Sequence, residues 1–254
     1  MLETGWLPLI IITMFIPLAW LITKKHKSAT LSANFPSPRT EAIQAIVLVV
    51  AVFAAITLLF SFWSQTIGKP IGSSNKIGPA DVAFEWTFYT VFFFAPVLAM
   101  LRVKHQKLES IGVTKKNVGF SLIIGLTLST LWLVIGFSTS PESFLQAFSL
   151  NTFYGLFYYL AIGFGEEILF RGYLQHRCST WLGATNGPVI SSIIMVFAHL
   201  PQRIFALGLN LQQAILSSVI LLPVSILLGL VFLKTQNVLG PAVLHTVFDF
   251  GFFL

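Results

Sequence analysis

The sequence predicts an all-α fold: a polytopic membrane bundle of about eight transmembrane helices. Three observations predict it. Of the 254 residues, 56% are hydrophobic and only 9% are charged, where an average soluble domain is about 25% charged. The apolar residues gather into eight segments, at about 5–23, 42–63, 82–101, 118–137, 151–171, 187–200, 211–233 and 238–254. The Lys and Arg residues between those segments are distributed very unevenly.

The first segment, Trp6 to Ile22, is long for a signal-peptide core and lacks a small-residue cleavage site, so it reads as a retained helix. The first five segments and the seventh can span roughly 30 Å at about 1.5 Å per residue. The run Phe92-Phe93-Phe94-Ala95-Pro96 marks a kink in the third. The stretches 28–40 and 64–80 are Ser/Pro/Gly-rich loops. The stretch 138–150 opens on Ser140-Pro141-Glu142, a start signal for a short interfacial helix before the fifth segment. The sixth and eighth segments are shorter, and each carries a histidine, which suits a tilted helix or one beside a wet cavity. The chain 1–254 reads as a single integral membrane domain, with its motifs in about 150–254.

Twelve basic residues fall on one side of this arrangement: Lys24, Lys25, Lys27, Arg39, Arg102, Lys104, Lys107, Lys115, Lys116, Arg171, Arg177 and Lys234. Three fall on the other: Lys69, Lys76 and Arg203. Basic loops stay cytoplasmic, so both termini are expected outside a plasma membrane that the chain crosses many times. The net charge of +6 reflects this orientation. Nucleic acid is excluded as a partner because the basic residues are split among short loops. The single cysteine, Cys178, forms no internal disulfide and is expected as a reduced bystander in a cytoplasmic connection. Trp6, Trp63, Trp86 and Tyr173 lie near segment ends, where aromatic residues anchor at the interface. Asp81 and Glu85 are expected at the interface too, and Arg203 at the surface or near a substrate carboxylate.

The fifth segment carries Glu166 and Glu167 in apolar surroundings, followed by Arg171. A carboxylate at membrane depth costs about 3 kcal/mol or more, so intramembrane acids mark function by default. Adjacent helical residues lie about 100° apart, so the two acids cannot face one point. Glu167 and Arg171 are i and i+4 and read as a structural ion pair. That leaves Glu166 to point into the bundle as a candidate general base. Gly163, Gly165 and Gly172 flank the acids and admit close helix approach. His199 stands near the end of the sixth segment, before a helix-ending Leu200-Pro201. His245 and Asp249 share a face of the eighth at i and i+4. Such a set could serve hydrolysis, a proton path, or a buried structural network.

The run Glu166-Glu167-Ile168-Leu169-Phe170-Arg171 resembles the EExxxR motif of the CPBP intramembrane proteases, the CAAX protease and bacteriocin-processing or Abi family. His199 is similar to that family's second-motif histidine. His245 and Asp249 are similar to its third motif, a histidine with Asn or Asp four residues on. The resemblance covers about 160–250. It implies that Glu166 activates water with help from His199, and that His245 and Asp249 stabilise the oxyanion. Two departures stand out. Met195 replaces the family's frequent Phe four residues before the second-motif histidine, and Asp249 stands where many relatives have Asn. An ionised Asp only accepts hydrogen bonds, so Asp249 is either protonated or orients His245.

The expected function is therefore an intramembrane endopeptidase acting on a peptide or membrane-protein substrate through Glu-activated water. The metal-free route, with no cofactor, is preferred. Zinc is the alternative, because Glu166, His199 and His245 are a possible ligand set. They come from three separate helices and lack the compact HExxH arrangement. The competing classes are a proton-coupled transporter and a non-catalytic scaffold or immunity-type protein.

Overall fold

The computed structural model describes residues 6–23, 35–66, 77–139 and 149–253. Every regular element among them is helical, as a lipid solvent requires of an open chain, because a helix satisfies its own backbone groups. The elements are α1 (Trp6–Thr23), α2 (Pro38–Thr66), α3 (Pro79–Tyr89), α4 (Ala95–Val103), α5 (Val118–Thr139), α6 (Leu150–Glu167), α7 (His176–Ala198), α8 (Leu211–Val219), α9 (Leu222–Thr235) and α10 (Leu239–Phe253). Three π-helical stretches interrupt them, at Thr90–Phe94, Ile168–Gln175 and Gln202–Ala206. Five stretches are long and apolar enough to cross a membrane: Pro38–Trp63, Pro79–Val103, Val118–Ser138, Leu150–Ala206 and Leu211–Thr235. The chain is a multi-pass, all-helical membrane protein. The interfacial helix expected before α6 would occupy 140–148, outside the described residues, as do Lys24, Lys25, Lys27, Lys69 and Lys76.

Local sequence explains the starts and breaks. Pro79 opens α3, where the Gly78 N–H donates to Asp81 Oδ2 at 2.8 Å. The Phe-Phe-Phe-Ala-Pro run becomes the first π stretch, because Pro96 has no N–H to give to the regular ladder. Ser149 caps α6 by accepting from Thr152 N at 3.1 Å. Asn237 caps α10 by accepting from Leu239 N at 3.0 Å. Its amide donates to the carbonyls of Thr114 and Lys116 at 2.9 and 3.0 Å, which ties α10 to the loop before α5.

The 57-residue stretch Leu150–Ala206 is about 85 Å long if straight, far more than one bilayer crossing. It folds back at Gly183, whose φ of 90° suits glycine. Residues on the two sides then pair in opposite directions. Gly187 packs on Ser179, Ser191 Oγ donates to the Phe170 carbonyl at 3.0 Å, and Met195 meets Arg171.

This hairpin corrects part of the sequence reading. The fifth segment was expected to end at Arg171, with Arg171, Arg177 and Cys178 in a cytoplasmic connection. All three are instead fully buried. Arg177 donates from Nε to Glu41 Oε2 at 3.3 Å, from Nη1 to the Tyr173 carbonyl at 3.1 Å, and from Nη2 to Gln106. Its guanidinium lies 3.7 Å from the Tyr173 ring centroid. Partners on α2 and beyond α4 let this charge enter the bundle, and the sequence does not reveal them. Tyr173 is likewise buried and not interfacial. Taking Arg171 and Arg177 out of the loops leaves ten basic residues against three.

Two apolar clusters form the interior. One joins α2, α3, α4, α6, α7 and the π turns next to them, and the other joins α1, α5, α9 and α10. The α6–α10 seam between them closes at Gly163, where a side chain would strike the Ala242 carbonyl and Thr246. Val47, Leu58, Ile123, Val134 and Leu216 point outward, as lipid-facing residues do.

Candidate active site

Glu166 and Glu167 are the last residues of α6, and the π turns begin at the next residue. Such widened turns recur at functional sites. Both carboxylates are buried, Glu166 with 6% exposure and Glu167 with none.

Glu167 forms the ion pair read from the sequence: Arg171 Nε donates to its Oε2 at 3.1 Å. Arg171 Nη2 reaches Ser225 Oγ at 2.9 Å and Met195 Sδ at 3.0 Å. Met195, the departure from the family pattern, thus supplies an acceptor to the buried guanidinium. Glu167 has a second role absent from the sequence reading. Its Oε1 lies 3.0 Å from His245 Nδ1. A carboxylate only accepts, so Nδ1 carries the hydrogen and Nε2 is the nitrogen turned toward the site. Orienting His245 through Nδ1 is therefore the work of Glu167. Asp249 Oδ2 stands 3.5 Å from the other nitrogen, Nε2, with its side chain one-third exposed.

Glu166 is held differently. Its Oε1 accepts from the Tyr89 hydroxyl at 3.1 Å. Its Oε2 is buried and accepts no hydrogen bond from the protein. That oxygen faces His199 Nε2 at 3.8 Å and His245 Nε2 at 3.9 Å. Both separations exceed a direct hydrogen bond, and both are within reach of one bridging water. His199 Nδ1 is 2.8 Å from the Met195 carbonyl, an acceptor-only group, so its Nε2 also turns inward.

The four residues singled out in the sequence, Glu166, His199, His245 and Asp249, therefore converge from α6, the end of α7 and α10. Tyr89 was not singled out in the sequence, and Glu85 was not placed at the site. Tyr89 reaches Glu166 because its ring occupies the space a side chain at Gly165 would fill, so the glycine beside the acids was the one legible signal. Glu85 was expected at the interface but is buried. It lines a cavity of about 110 Å³, together with Tyr89, Tyr158, Glu166 and His199. That volume admits several waters, since one water needs about 10–15 Å³. Among the described residues no three His, Cys, Asp or Glu side chains are arranged to hold a metal ion.

Residues 148–251 match the model of a family described as type II CAAX prenyl endopeptidase, Rce1-like. No curated protein and no solved structure matches the chain. The match covers α6 to α10, the helices that supply both glutamates, both histidines and Asp249. Over these residues the chain is similar to the CAAX protease family.

Proposed function

We propose that the protein is an intramembrane endopeptidase that hydrolyses a peptide bond with water activated by Glu166. One observation carries the reading: the buried, unpartnered Oε2 of Glu166 stands 3.8 and 3.9 Å from the inward nitrogens of His199 and His245. The cavity that Glu166 and His199 both line has room for a water.

In this mechanism Glu166 Oε2 takes a proton from the water as the oxygen attacks the peptide carbonyl, while His199 Nε2 orients the water's second hydrogen. Positioned general bases contribute about 10²–10⁴ in rate. The carbonyl oxygen becomes an oxyanion, accepting from His245 Nε2–H of the imidazolium and from Asp249 in its protonated form. Each such donor is worth about 10²–10³. Collapse of the intermediate breaks the C–N bond, and the proton held by Glu166 passes to the leaving amine. Tyr89 fixes Oε1 so that Oε2 remains the base. Glu167 fixes His245.

The reading uses no metal. In the alternative, Glu166, His199 and His245 would hold a zinc ion, which would supply Lewis-acid activation of the same water.

We further infer eight crossings. The stretch Leu150–Ala206 counts twice because it folds back at Gly183, and α1 and α10 add two to the remaining four. The ten basic residues left on one side favour cytoplasmic basic loops and outside termini. Contacts between α3 and α6 run in the same sense, Ile77 to Asn151 and Tyr89 to Glu166, which supports this alternation.

The test compares protein N-termini in native membranes carrying the wild type or Glu166→Gln at matched levels. New termini that depend on Glu166 support proteolysis. Identical termini would favour the transporter or scaffold classes.

A further inference from the structure

We propose that the cavity beside Glu166 is a subsite for a cationic side chain of the substrate, with Glu85 as its recognition residue. The inference rests on the protease reading above and deepens it by naming a substrate feature.

Glu85 is 9% exposed and lines the same cavity as Glu166. Its hydrogen-bond partner is the Tyr158 hydroxyl, and the charges acting on it are two acids, Asp81 and Glu166. Among the described residues no Lys or Arg pairs with it, whereas Glu41 and Glu167 each have a cation. An entering substrate cation would supply the counter-ion that this buried carboxyl lacks within the protein.

The surrounding walls suit a cation. Phe60 and Phe88 stack with centroids 6.2 Å apart, Phe84 and Phe88 with centroids 6.3 Å apart, and Tyr89 lies edge-on to Phe88. Aromatic faces around a carboxylate are the chemistry that recognises ammonium and guanidinium groups. Nothing about Glu85 looks structural in the manner of Glu167. It bonds to no arginine, caps no helix, and lines the cavity.

The geometry also sets a register. Glu85 and Tyr89 are i and i+4 on α3, so they share a face. Tyr158, the partner of Glu85, precedes Glu166 by eight residues on α6, about 12 Å of rise. An extended peptide covers about 3.4 Å per residue. A lysine or arginine is therefore expected within about four residues of the cut bond.

The test uses the full chain in proteoliposomes and two peptides spanning a mapped cleavage site. One carries the native lysine or arginine, and the other carries norleucine there. The wild type is expected to cleave the cationic peptide at least about tenfold faster in kcat/KM. Glu85→Gln keeps a partner for Tyr158 and is expected to bring that ratio close to one, mainly through KM. Mapped sites with no basic residue within four positions would overturn the subsite, as would a preference that survives Glu85→Gln. Failure of the wild type to cleave either peptide would overturn the protease reading and the subsite together.

Discussion

Glu167 and His245 are joined across the α6–α10 seam by a 3.0 Å contact between Oε1 and Nδ1, while the other Glu167 oxygen holds Arg171. One buried carboxylate thus links the ion pair to the orientation of a site histidine. The two neighbouring acids divide their work: Glu167 is fully bonded, and Glu166 keeps one oxygen open.

Breaking the Glu167–Arg171 pair from one side leaves an uncompensated buried charge, which costs about 3–5 kcal/mol. Arg171→Met and Glu167→Gln are each expected to lower thermal stability in detergent. The double variant should recover part of the loss, because both charges go together. Cleavage should stay low in every variant lacking Glu167, by about 10–100-fold, as loss of an orienting partner typically costs. Stability and cleavage rates measured on the same three variants check both halves.

Tyr89→Phe removes the donor to Glu166 Oε1 and is expected to lower kcat about tenfold with little change in KM. Gly165→Ala should produce the same defect, because its added carbon would displace the Tyr89 ring. Combining the two changes should cost less than the sum of their separate effects. Fully additive losses in kcat would count against a shared mechanism.

Asp249→Asn supplies an amide donor near the oxyanion position while keeping the shape of the side chain. With His245 already oriented by Glu167, the variant is expected to retain or exceed wild-type kcat. Asp249→Ala is expected to fall about 10–100-fold. Equal losses in both would show that the carboxylate itself is required.

A strong zinc chelator such as 1,10-phenanthroline is expected to leave cleavage unchanged after long incubation, since no step here uses a metal. Loss of activity that added zinc restores would replace the water-activation scheme with the metal alternative.

Much of this was legible in the sequence, for particular reasons. Apolar length and the rarity of charge marked the helices, because lipid demands both. The i, i+4 spacings of Glu167 with Arg171 and of His245 with Asp249 placed each pair on a common face. The failures share one physical cause, partners distant in sequence. Arg177 read as a loop cation because Glu41, 136 residues away, could not be anticipated. Glu85 read as interfacial because the cavity that surrounds it is built from α2, α3 and α6 together. The Glu167–His245 contact spans 78 residues and has no local signature. Gly183 is one glycine among 18, and nothing local marks it as the one at which Leu150–Ala206 folds back.

The central claim is that Glu166 is the base, and one measurement meets it directly. Purified wild type and Glu166→Gln, reconstituted at equal density, would be assayed on a peptide spanning a mapped cleavage site, with thermal unfolding as the control. Glu166→Gln is expected to lose at least about 10²–10⁴ in kcat with the unfolding temperature preserved. A folded Glu166→Gln protein that cleaves within a few-fold of the wild type would contradict it.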